Sequence, residues 1–157
     1  MLKKLGKLKE ALLGEKAYAE SAGNPEERQQ LALAALLVEM ARADFDESAD
    51  KHAEIVRLLA SHFELNETES ADLLGRAAKA MDESVCLFDF TRALHDSMDY
   101  EQKLAVVELL WQLALSDERL DKYEEYLMAK IGDLLYVSRA DIIRLRNSAT
   151  TEKNNDA

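Results

Sequence analysis

Apolar residues recur at helical spacing through almost the whole chain. Leu2, Leu5, Leu8 and Leu12 give residues 1–16 one apolar face, with lysines on the other. Ser21-Ala22-Gly23-Asn24-Pro25 breaks that pattern. Asn24 as N-cap, Pro25 in the first turn, and Glu26 and Glu27 at the positive end of the dipole predict a helix over residues 25–42. From Leu31 this helix is apolar on nearly every side, the pattern of a central, buried element. A third helix, from Ser48 or Ala49, turns Ile55, Leu58, Leu59 and Phe63 inward. Asn66 and Glu69 form a capping-box pattern that opens a fourth, carrying Leu73, Leu74 and Ala77. Asp82-Glu83-Ser84 reads as the start of a fifth helix containing Leu87, Phe88, Phe90 and Leu94. A sixth spans about Asp99–Ser116, its apolar run Leu104–Leu115 broken by Glu108 and Gln112. A seventh, opened by Asp121-Lys122-Tyr123-Glu124, carries Tyr126, Leu127, Ile131, Leu134 and Leu135. Ser138 to Asp141 starts a short last helix ending near Arg146, and the polar residues 148–157 are expected to be disordered.

The strongest organisational signal is a repeat. Displacing the chain by 73 positions lays Leu31–Asp44 over Leu104–Asp117 without a gap. Leu31, Leu36, Leu37, Ala41 and Asp44 meet Leu104, Leu109, Leu110, Ala114 and Asp117 as identities, and Val38 meets Trp111. Asn66–Glu69 answers Ser138–Asp141 after a one-residue change of spacing. Each copy is an apolar helix, an acidic segment, a second helix, a cap and a third helix. Neither copy can bury its apolar faces alone, so the two central helices are expected to pack together, with Trp111 in the core. The fold class that follows is all-α: a single compact bundle of about seven to eight helices with an internal pseudo-two-fold repeat. The basic arm at residues 1–16 precedes a helical domain at 24–147, with repeats at about 31–75 and 104–146.

Composition narrows the function classes. The 157 residues are 48% apolar and 32% charged with one proline, a helix-favouring balance large enough for a real core. A net charge of −11 argues against nucleic acid and favours cations or a protein partner with a basic surface. The single cysteine, Cys86, allows no intrachain disulfide and fits a reducing, cytoplasmic setting; among Val85, Leu87 and Phe88 it is expected to be buried. No apolar run approaches the ~20 residues that span a bilayer. Five lysines against two glutamates in residues 1–16 admit peripheral contact with an anionic membrane, or docking of the leucines on the chain's own acidic body.

The acidic segments are the candidate chemistry. Asp44, Asp46, Ser48 and Asp50 alternate in sequence, and oxygen ligands at every second position can converge on Ca²⁺ or Mg²⁺. A standard EF-hand is excluded, because Ala49 stands where the turn glycine belongs and Ile55 where the bidentate Glu belongs. The second segment offers Asp117, Glu118, Asp121, Glu124 and Glu125, diluted by Arg119 and Lys122. The candidate metal residues are therefore Asp44, Asp46, Asp50, Asp117, Glu118, Asp121 and Glu124. The competing reading is helix capping and solubility. His52, His62 and His95 are scattered, and none has a Glu three positions before it, so the di-iron pair is absent. Zinc, phosphate-loop and nucleophile-elbow motifs are also absent.

The segments VEMARADFDES (Val38–Ser48), VELLWQLALSDERLDKYEE (Val107–Glu125) and KIGDLLYVSRADIIR (Lys130–Arg144) resemble the TerB-like family. That family comprises tellurite-resistance proteins and is related to the N-terminal domain of certain membrane-anchored DnaJ-type co-chaperones. Ala41 and Asp44 match its pattern in the first copy, and Ala114, Asp117 and Glu124 in the second. Phe45 and Glu118 stand where the family often has Gly, and Lys51 where the first copy often has an acid, with Asp50 adjacent. The resemblance implies an all-helical fold, an acidic surface with metal-binding capacity, and a role in stress response or scaffolding, without an assigned enzymatic activity. The expected function is thus a non-enzymatic module binding a divalent cation or a basic partner. The alternatives are a co-chaperone-like adaptor whose acids are only structural and, last, a metal-dependent enzyme.

Overall fold

The computed structural model describes residues 24–43, 49–84, 86–116 and 122–155. Within them are seven helices and no strand: α1 (Pro25–Ala43), α2 (Ala49–Phe63), α3 (Glu67–Glu83), α4 (Phe88–Ser97), α5 (Tyr100–Ala114), α6 (Lys122–Leu134) and α7 (Arg139–Asn155). The basic arm expected at residues 1–16 lies outside the described residues. α1 begins as its sequence predicts, with the Glu27 amide donating to Asn24 Oδ1 at 2.8 Å. Its residues Leu31 to Val38 are all buried, and it packs against α2, α3, α4, α5 and α6. Ala32, Ala34 and Ala35 are wholly enclosed, so those neighbours approach α1 closely. α5 is the second central helix and buries Val106, Val107, Leu110, Trp111 and Leu113 against α1, α2, α6 and α7.

The trios α1–α3 and α5–α7 repeat one arrangement. In each, the first helix packs on the second and third, and the first helix of either trio also packs on the second of the other. The repeat extends to single residues at the ends of α2 and α6. Glu64 and Tyr136 both take left-handed backbone, with φ of 55° and 59°. The next amides, of Leu65 and Val137, reach back to the carbonyls of Ala60 (3.0 Å) and Gly132 (2.9 Å). This is the wound-back helix end that glycine normally occupies. A cap follows in each copy: Asn66 exchanges bonds with Glu69, and Ser138 Oγ accepts from the Asp141 amide. Glu64→Gly is expected to raise stability by about 0.5–1 kcal/mol, the left-handed penalty less the extra chain entropy glycine loses. Glu64→Ala should bring no such gain, and a lower urea midpoint for the glycine variant would contradict this reading.

Four local expectations are corrected. Asp82-Glu83-Ser84 does not start a helix: α3 runs through Glu83 and α4 starts at Phe88. Asp82 instead pairs with Arg42 in the last turn of α1 (2.8 Å), and Ser84 Oγ donates to the Cys86 carbonyl in the connecting turn. Cys86, expected in the core, is exposed in that turn, and Phe88 beside it is half exposed. Tyr126 points outward, because Leu127, Met128 and Ile131 take the inner face of α6. The final helix passes Arg146 and continues to Asn155, so residues 148–155 are helical rather than disordered. Ala149 is buried there, and Thr150 and Thr151 return their hydroxyls to the carbonyls of Arg146 and Asn147. Trp111 is in the core, as expected from the repeat.

Candidate functional site

Lys51 and Glu124 are the third residues of α2 and α6, and they are counterparts under the 73-position displacement. Both are buried, at 4% and 0% exposure, and Lys51 Nζ stands 3.9 Å from Glu124 Oε2. Lys51 Nζ also donates to the Leu113 carbonyl at 3.2 Å. That carbonyl belongs to the last turn of α5, where the dipole is negative, and it also accepts from the Ser116 amide at 3.2 Å. Ser116 Oγ donates to the same oxygen at 2.7 Å. An ammonium thus sits between a buried carboxylate and the carbonyl end of a central helix. The first turns of α2 and α6, which follow the two acidic segments, meet at this point.

Of the sequence candidates, Asp44, Asp46, Asp117, Glu118 and Asp121 lie outside the described residues. Asp50 is exposed, while Glu124 is buried and faces Lys51. Among the described residues no three His, Cys, Asp or Glu side chains are grouped so as to hold a metal ion. The described part of the junction therefore does not fit a divalent ion, since the cation beside Glu124 is a lysine. In the sequence Lys51 stood out only as a base where the resembling family often has an acid, and its pairing with Glu124 was missed. The available signal was its register with Glu124.

Two shallow grooves flank α5. One, of about 240 Å³, is lined by Arg57, Leu58, Ser61, His62, Glu108 and Gln112. Partial desolvation in this groove pushes the His62 imidazole below its usual range. The other, of about 360 Å³, has Trp111, Met128, Ile142 and Ile143 as its floor. At its rim Arg146 pairs with Glu125 at 3.3 Å and lies 5.8 Å from the Trp111 ring centroid. Tyr123 and Tyr126 project from α6 one turn apart, 61% and 69% exposed, with Glu125 between them in sequence. No helix among the described residues is long and apolar enough to cross a membrane.

A polar clasp joins α5 to α7. Tyr100 donates its hydroxyl proton to Asp141 Oδ2 and accepts from the Ser138 amide at 3.2 Å. The Tyr100 hydrogen bond, with lesser help from Ser138 and Arg144, holds the Asp141 carboxyl below its usual range. A depressed carboxyl contributes stability above its unfolded value and loses it as pH falls through the folded one. In Tyr100→Phe, the Asp141 titration followed by NMR is expected to move up toward the ordinary carboxylate range. The stability difference from wild type should be present at neutral pH and vanish in acid. An unmoved titration would show that Tyr100 is not the main cause.

No curated protein and no solved structure is matched by the chain. The family model for tellurite resistance protein TerB matches residues 30–147, from the buried run of α1 to the middle of α7, and takes in both copies of the repeat. With its all-helical bundle and two acid-bearing halves, the chain belongs to the TerB family.

Proposed function

We propose that this TerB chain is a non-enzymatic interaction module that presents an acidic, tyrosine-bearing face to a basic segment of a partner protein. The observation that carries this reading is the pair Tyr123 and Tyr126, exposed one turn apart on α6. Large exposed aromatic rings are the usual anchors of protein interfaces. A tyrosine face next to carboxylates attracts arginine and lysine by charge and by cation–π contact. The Asp117, Glu118 and Asp121 carboxylates precede this face directly in sequence, and the net charge of −11 steers basic partners toward it and nucleic acid away. The family assignment supports a scaffolding or stress-response setting for such a module.

Titration of the full chain with a fluorescent arginine- and lysine-rich peptide tests the proposal. Binding is expected to weaken with added salt and to persist in chelator. Tyr123→Ala/Tyr126→Ala is expected to lose about tenfold in affinity with an unchanged circular dichroism spectrum. Equal affinity in the double variant would overturn the assignment of this face. Loss of binding in chelator would instead favour a Ca²⁺- or Mg²⁺-dependent module using Asp44, Asp46, Asp117, Glu118 and Asp121.

A further inference from the structure

We infer that Lys51 is a built-in cation, whose ammonium does at the junction of the two repeats what a divalent ion would do between two acids. Three observations converge. The 73-position register makes Lys51 the counterpart of Glu124, so a strictly symmetric pair of repeats would place two carboxylates here. The seat is closed, with Lys51 at 4% and Glu124 at 0% exposure, and charge that far from water has to be balanced on the spot. Among the described residues, the atoms that face Nζ include a carboxylate oxygen, Glu124 Oε2, at 3.9 Å and a main-chain oxygen, of Leu113, at 3.2 Å. Those are the donor types that hard divalent cations take. Lysine supplies the positive charge covalently, without a metal to be gained or lost. The fold of this chain is therefore independent of divalent ions, and one substitution converts it to a cation-dependent one. This property belongs to the junction and not to the tyrosine face, so a chain that bound no basic peptide would keep it.

The test is thermal unfolding of the full chain in chelator, in Ca²⁺ and in Mg²⁺. Wild type is expected to show one midpoint in all three. Lys51→Glu is expected to melt several degrees higher with either cation than in chelator, because an ion that binds only the folded state stabilises it by mass action. Lys51→Met, which removes the charge and adds no oxygen, is expected to melt low and to ignore both ions. A wild-type midpoint that moves with either cation overturns the inference, as does a folded Lys51→Glu indifferent to both. Should Lys51→Glu fold in none of the three conditions, Lys51→Gln carries the same expectation. Its amide oxygen faces a Glu124 that has lost its ammonium, and indifference to both ions overturns the inference equally.

Discussion

Lys51→Met is expected to cost about 3–5 kcal/mol of unfolding free energy, the cost of removing one partner of a buried ion pair. Glu124 is fully enclosed, so water cannot replace the ammonium that stands 3.9 Å away. The same substitution takes a positive charge from the carbonyl end of α5, where Leu113 accepts from Lys51. That loss adds about 0.3–1 kcal/mol. The pair differs from the arginine–carboxylate bridges on the helix surfaces, such as Arg76–Asp72 at 3.1 Å, whose side chains are more than half exposed. Those are worth about 0–1 kcal/mol, and Asp72→Ala serves as the control. The double variant Lys51→Met/Glu124→Leu should recover most of the loss, because a buried ion pair replaced by apolar groups of similar volume is often neutral or better. Urea unfolding followed by circular dichroism measures all three, provided the denaturant slope stays constant. A double variant as unstable as Lys51→Met alone would mean that the lysine stem, and not its charge, holds the junction.

What was legible in the sequence and what was not divides along one physical line. α1 and α5 could be read because a helix apolar all round has nowhere to go but the centre. The caps at Asn24, Asn66 and Ser138 could be read because their bonds close within three residues. Asp82-Glu83-Ser84 misled because the same residue types finish a helix when a partner such as Arg42 is near, and that partner lies 40 positions back in the chain. Cys86 and Tyr126 misled because apolar neighbours in sequence do not fix which way a turn or a helix faces. The part of α7 beyond Arg146 was hidden by polar composition, although Ala149 packs inward and two threonines bond along the helix. At the candidate site, charge could be counted but not its depth. Lys51 could be read as a base at a position where the resembling family often has an acid, and only packing shows that it is one of the most buried charged groups described.

Trp111→Ala is expected to cost about 3–5 kcal/mol, the range for removing a large aromatic ring from a core that can relax only in part. Trp111 is 3% exposed, and its indole nitrogen donates to the Ile142 carbonyl at 3.0 Å, so one side chain fastens α5 to α7. In the other copy its counterpart, Val38, offers no such bond. There α3 is held to α2 through Ser70 Oγ, which donates to the Val56 carbonyl at 2.6 Å. Ser70 and Ile142 are themselves counterparts once the one-residue change of spacing is counted, so the two copies fasten their third helices at the same place by different means. Trp111→Phe keeps most of the ring's volume and loses the indole donor, and it should cost only about 1–2 kcal/mol. The two variants separate packing from hydrogen bonding. If packing dominates, amide exchange in α7 around Ile142 and Leu145 should speed up strongly in Trp111→Ala and little in Trp111→Phe, with α3 protected in both. Equal acceleration in the two variants would place the fastening in the hydrogen bond alone. Acceleration in α3 as large as in α7 would mean that the repeats open as one unit, and that the shared α1–α5 contact, not Trp111, sets the stability of the second copy.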